Sequence, residues 1–187
     1  MSEYEFNHRQ IWPELYDPDF PGDYQVVRLY PLENTVRTLT PLPFQFDDGG
    51  RAKAAFQSLA RDCVTRSIAI ATGLPYQRVY QDIASGNAAQ KATSKTPKRS
   101  LSADHGVNTR RKWFKEYMSS LGFEWVPAMH VGNPKRAYLC EEDLPTGRLV
   151  VALSKHYTAV INGVIRDTFN CSPDGSRCVF GFWRLKD

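Results

Sequence analysis

A cysteine at position 63, preceded by Gln57 and Asp62, and a histidine at 156, followed by Asp167, are the residue types that thiol-based acyl chemistry needs. The thiolate attacks a carbonyl carbon, the imidazole moves protons, and the carboxylate orients the ring. Gln57 stands a few residues before Cys63. Its amide is expected to donate to a developing oxyanion, beside the backbone N–H of Cys63. Asp62 is expected to cap the helix that Cys63 opens, accepting from its first N–H groups. A carboxylate there opposes thiolate formation, while the helix dipole favours it. The expected catalytic set is therefore Cys63, His156 and Asp167, with Gln57 at the oxyanion and Asp62 in the cap.

Two local elements must hold these groups. The segment CVTRSIAIATG reads as a helix, with Val64, Ile68 and Ala71 forming one apolar stripe and Gly73 stopping it. The segment YTAVINGVIRDTF reads as a hairpin turning at Asn162–Gly163. A two-residue turn puts Phe169 opposite His156 and makes Asp167 a diagonal neighbour on the same face. Asn170 falls on the other face, so the hairpin selects Asp167 as the orienting group. The remaining histidines stand on weaker platforms: His8 in a proline-rich arm, His105 in a polar loop, His130 before a Gly-Asn-Pro turn.

Residues 1–50 interleave prolines with aromatics and read as an extended arm, with a short strand around YQVVRLY and a DDGG turn at its end. RAKAAFQSL and PYQRVYQDIA read as further helices. Residues 85–108 are small, polar and basic, and read as an insertion loop. Asn108 or Thr109 is expected to cap the next helix, RRKWFKEYMSSLG, whose buried face is Trp113, Phe114, Tyr117 and Leu121. EWVPAM, RLVVALSK and RCVFGFWRL read as strands, the near-continuously apolar RLVVALSK as a central one. Helices first and an antiparallel sheet after them is the α+β pattern. The expected organisation is an arm over 1–50 and a domain over 51–187 that carries the insertion.

The chain has 187 residues, 42% of them hydrophobic, enough for one well-buried domain. It contains no apolar run of the ~18 residues that a membrane helix requires. The mixed, acidic N-terminus lacks a signal core, so a cytoplasmic protein is expected. The four cysteines show no Cys-x-x-Cys spacing, so neither a disulfide framework nor a structural zinc site is expected. The net charge is +4, with Lys91, Lys95, Lys98, Arg99, Arg110, Arg111, Lys112 and Lys115 close together. This cluster reads as a solvated loop and helix face before it reads as a nucleic-acid footprint.

The pattern Gln57-x4-Asp62-Cys63 followed by an apolar helix resembles the papain-like cysteine peptidase superfamily, and within it the bacteriocin-processing, double-glycine-leader peptidases. His156, Ala159, Val160, Gly163 and Asp167 resemble the histidine and aspartate segment of that family, although Val64 stands where the family has glycine. Asp-Cys-Val-x-Arg and the Ser-Lys-His strand also look like those of small bacterial and phage proteins. The resemblance implies a papain-like fold, with the nucleophile at a helix start packed on the C-terminal sheet. It implies hydrolysis of a peptide or amide bond through a thioester, with no cofactor and a peptide or protein as substrate. Two alternatives stay open. One is a deamidase- or deubiquitinase-type reaction on the same triad. The other is a non-catalytic assembly or binding protein, in a phage particle for instance, whose aromatic arm docks on a protein partner and whose triad is a relic.

Overall fold

The Asn162–Gly163 turn forms as the sequence requires, both residues having positive φ, 49° and 79°. The computed structural model describes residues 37–56, 61–90, 102–103, 106–128 and 136–186. Around that turn, β4 (His156–Ile161) and β5 (Val164–Asp167) pair antiparallel, with Ile161 opposite Val164 and Val160 opposite Ile165. β3 (Arg148–Leu153) lies between β4 and β6 (Val179–Leu185), and β2 (Phe123–Pro127) forms one edge. The other edge is β1 (Phe44–Phe46).

β3 is apolar from Leu149 to Leu153, where it is buried on both faces. Leu149, Val151 and Leu153 join a core with Leu42, Leu139, Val160, Ile165 and Phe182. Val150 points the other way, into a core with Val64, Ile68, Val79, Ile83, Phe114 and Trp183. Three helices build that second layer: α1 (Cys63–Thr72), α2 (Tyr76–Ala88) and α3 (Lys112–Ser120). The architecture is α+β, three helices on a six-stranded sheet among the described residues. None of those helices is long and apolar enough to cross a membrane.

α1 carries the expected stripe, with Val64, Ile68 and Ala71 buried. Gly73 ends it in the left-handed conformation at φ 76°, a backbone state that glycine adopts without a Cβ penalty. Arg148 of β3 then donates from Nε to the Ala71 carbonyl at 2.6 Å, putting a cation at the negative end of the helix.

Several expectations are corrected. The sheet is mixed, because β1 runs parallel to β5, Phe46 aligning with Asp167. Residues 38–50, read from sequence as the end of the arm, belong to the compact unit Thr38–Asp187, because their backbone completes the sheet and Leu42 enters its core. The other unit is Met1–Arg37, and the strand expected around YQVVRLY lies outside the described residues. The helix expected over RAKAAFQSL is absent from residues 51–56, which form turns, with Ala55 at φ 60° breaking the helical run.

α2 continues to Ala88, so the insertion read from residue 85 begins with helix. Gly86 looked like loop but sits inside α2, where a Cβ would collide with the Trp113 ring of α3. Neither Asn108 nor Thr109 caps α3; Arg111 precedes it with no side-chain cap. Asn108 instead accepts the Arg110 N–H at 3.1 Å, and Thr109 accepts the Tyr157 hydroxyl at 3.0 Å. On α3 the fully buried residues are Phe114 and Met118, with Trp113, Tyr117 and Leu121 half-buried against the same core.

Candidate active site

Helix α1 presents Cys63 as its first residue, half-buried, at the end where backbone N–H groups are unpaired. β4 opens with His156, and β5 ends with Asp167. The register places the two diagonally, and their side chains meet: His156 Nε2 lies 2.7 Å from Asp167 Oδ2. Both side chains are largely withdrawn from water, at 10% and 5% exposure. The other carboxylate oxygen, Oδ1, accepts the Thr168 backbone N–H at 2.7 Å. Phe169 flanks the imidazole, with ring centroids 5.1 Å apart.

The electrostatics favour a charged pair. Burial alone would lower the His156 pKa. Hydrogen bonds with Asp167, Cys171 and Cys63, and then the Asp167 charge, outweigh it and raise the value to about 11. Burial likewise acts to raise the Asp167 pKa, but the His156 hydrogen bond, its charge and the Thr168 amide keep it below the usual carboxylate range. An imidazolium paired with the Asp167 carboxylate is therefore favoured at His156.

Cys171 is the member of this cluster that sequence reasoning missed. Its sulfur, a His156 ring nitrogen and an Asp167 oxygen all lie within 4.8 Å of one another. Strand alternation could not find it, because β5 ends at Asp167 and Cys171 follows a bend. These three donors are types that zinc accepts. His156 Nε2 meets Asp167 Oδ2 at 2.7 Å, and Oδ1 accepts from Thr168. All four cysteines are free thiols, Cys171 and Cys178 included. Burial, then hydrogen bonding to Glu142 and Asp143, pushes the Cys140 thiol up to about 12, which leaves it inert.

Asp62 occupies the N-cap position, but its side chain makes no cap hydrogen bond, which corrects the expected role. It is buried and turned inward. Its Oδ2 accepts the Tyr76 hydroxyl at 2.6 Å and pairs with Arg51 Nε at 2.9 Å. Its Oδ1 pairs with Arg66 Nε at 3.1 Å. The two guanidinium groups offset the Asp62 charge. Asn170 is engaged elsewhere, accepting the Ser172 N–H at 3.1 Å. Gln57, His8, His105 and His130 lie outside the described residues.

No protein-family model, curated protein or solved structure matches this chain. The functional reading therefore rests on the residues and their geometry.

Proposed function

We propose that this chain is a cysteine hydrolase that cleaves a peptide or amide bond, with Cys63 as nucleophile, His156 as proton carrier and Asp167 as orienting group. One observation carries the reading: the His156–Asp167 bond at 2.7 Å, on an imidazole whose pKa Cys63 helps to raise. The Cys63 thiolate attacks the carbonyl carbon, and the tetrahedral oxyanion takes the Cys63 backbone N–H and the Gln57 amide as donors. His156 gives its Nδ1 proton to the leaving amine as the thioester forms. It then takes a proton from water, which attacks the thioester and releases Cys63. Asp167 keeps the ring in one orientation throughout. We extend the resemblance to papain-like peptidases to the fold as a proposal, supported by a cysteine at a helix start packed on a sheet that bears histidine and aspartate. A cytoplasmic setting suits four free thiols.

The test is turnover of a panel of fluorogenic peptide amides, ubiquitin-like substrates and glutamine-containing peptides by wild type and Cys63→Ala. Loss of turnover in a folded Cys63→Ala supports covalent catalysis, and the substrate turned over separates hydrolysis of peptides from deamidation or deubiquitination. Unchanged turnover in Cys63→Ala rejects the reading.

A further inference from the structure

Arg66 lies one helical turn after Cys63 and faces three groups that the mechanism does not otherwise connect. Nε pairs with Asp62 Oδ1 at 3.1 Å. Nη1 donates to Thr168 Oγ1 at 2.6 Å and stands 3.8 Å from Asp167 Oδ1. The Arg66 side chain is 13% exposed, between carboxylates that are 2% and 5% exposed. Asp62 is the residue before the proposed nucleophile, and Asp167 is the residue that orients the proposed proton carrier. A single guanidinium thus bridges the start of the cysteine helix and the end of β5.

The geometry points to Arg66 as a positioning residue of the thiol site proposed above, setting the separation between the Cys63 sulfur and the His156 ring. Apolar packing of α1 on the sheet is non-directional and tolerates sliding. A planar guanidinium with donors in a fixed fork does not. With Thr168 and Arg66 on its Oδ1 side, the Asp167 carboxylate presents Oδ2 to His156. Lysine would keep the charge, but its single ammonium cannot set one nitrogen against Asp62 and another against Thr168 and Asp167. A displacement on the order of 1 Å in such a constellation costs about 100-fold in rate.

The inference rests on the hydrolase reading for what is positioned, but its test needs no substrate. Two signals are measured in the full chain: the downfield proton NMR resonance of the His156–Asp167 hydrogen bond, and the rate of Cys63 alkylation by iodoacetamide at neutral pH. In folded Arg66→Lys the resonance should broaden or vanish, and alkylation should slow by roughly tenfold. Thr168→Val keeps every charge but removes both the Nη1 acceptor and the hydroxyl's own 3.4 Å bond to Asp167 Oδ1, and it should shift the same resonance and slow alkylation by about threefold, as a partial loss of the same alignment. A role in stability alone would lower the melting temperature and leave the resonance in place. Should Arg66→Lys fail to fold, Arg66→Gln takes its place, read by the same two signals with the same expected losses. An unchanged resonance with unchanged alkylation in the folded variant overturns the assignment of Arg66 and leaves the hydrolase reading standing. Full turnover in Cys63→Ala does the reverse.

Discussion

Replacing Asp62 by asparagine separates a helix cap from a buried charge network. Asparagine caps helices as well as aspartate does, so a capping role predicts a change near zero. The structure predicts a large loss. Asp62 is 3% exposed, and its two oxygens meet the Tyr76 hydroxyl and the Arg51 and Arg66 guanidiniums at 2.6, 2.9 and 3.1 Å. Asparagine retains one acceptor for Tyr76 but removes the negative charge that two largely buried guanidiniums face. Breaking a buried pair from one side costs about 3–5 kcal/mol. With one acceptor retained, Asp62→Asn should lose roughly 2–4 kcal/mol, and Asp62→Ala the full 3–5. For a chain of this size the asparagine variant should melt roughly 4–16 °C lower. Urea titration followed by circular dichroism, with equal slopes required in both proteins, measures the difference. A loss under about 0.5 kcal/mol would refute the network account and return Asp62 to the cap.

His156 and Asp167 together predict a pH window. The His156 pKa is raised from 6.5 to about 11, so its stabilising contribution is complete below 6.5 and fades as pH rises towards 11. The Asp167 pKa is lowered from 3.8, so its contribution is complete above 3.8 and fades as pH falls through the lowered value. The stability gap between wild type and His156→Ala, read from urea midpoints, should therefore be widest from about pH 4 to 6.5 and shrink on either side; a flat gap from pH 5 to 10 contradicts the pairing. Brief iodoacetamide treatment and peptide mass mapping should label Cys63 ahead of the buried Cys140 and Cys171; preferential labelling of Cys171 would move the nucleophile there. Gly86→Ala should destabilise the chain by roughly 1–3 kcal/mol through collision with Trp113, and a neutral result would mean that α2 and α3 can separate at no cost. Asn170→Ala should leave turnover within about twofold of wild type, because its side chain holds Ser172 and not the imidazole.

Local rules made much of this site legible. An Asn-Gly turn dictates its own register, and strict alternation along the paired strands then carries Asp167 to the histidine's face. The apolar stripe of α1 and its glycine stop placed Cys63 at a helix start by the same kind of short-range reasoning. What sequence could not provide is long-range: which partners a buried charge finds. Asp62 obeys the cap pattern in position yet turns its carboxylate to Tyr76, Arg51 and Arg66, because two cations and a hydroxyl in a buried setting outcompete backbone N–H groups that water can reach. Gly86 falls in a small, polar stretch that reads as loop, and the Trp113 ring pressed against it explains a glycine at that place in a helix. Cys171 and Arg66 join the site through bends and side-chain reach that no periodicity encodes. Periodicity and turn chemistry thus determined the elements and the face that each reactive group occupies, while the pairing of charges was decided by tertiary burial, where desolvation makes every unpartnered ion costly.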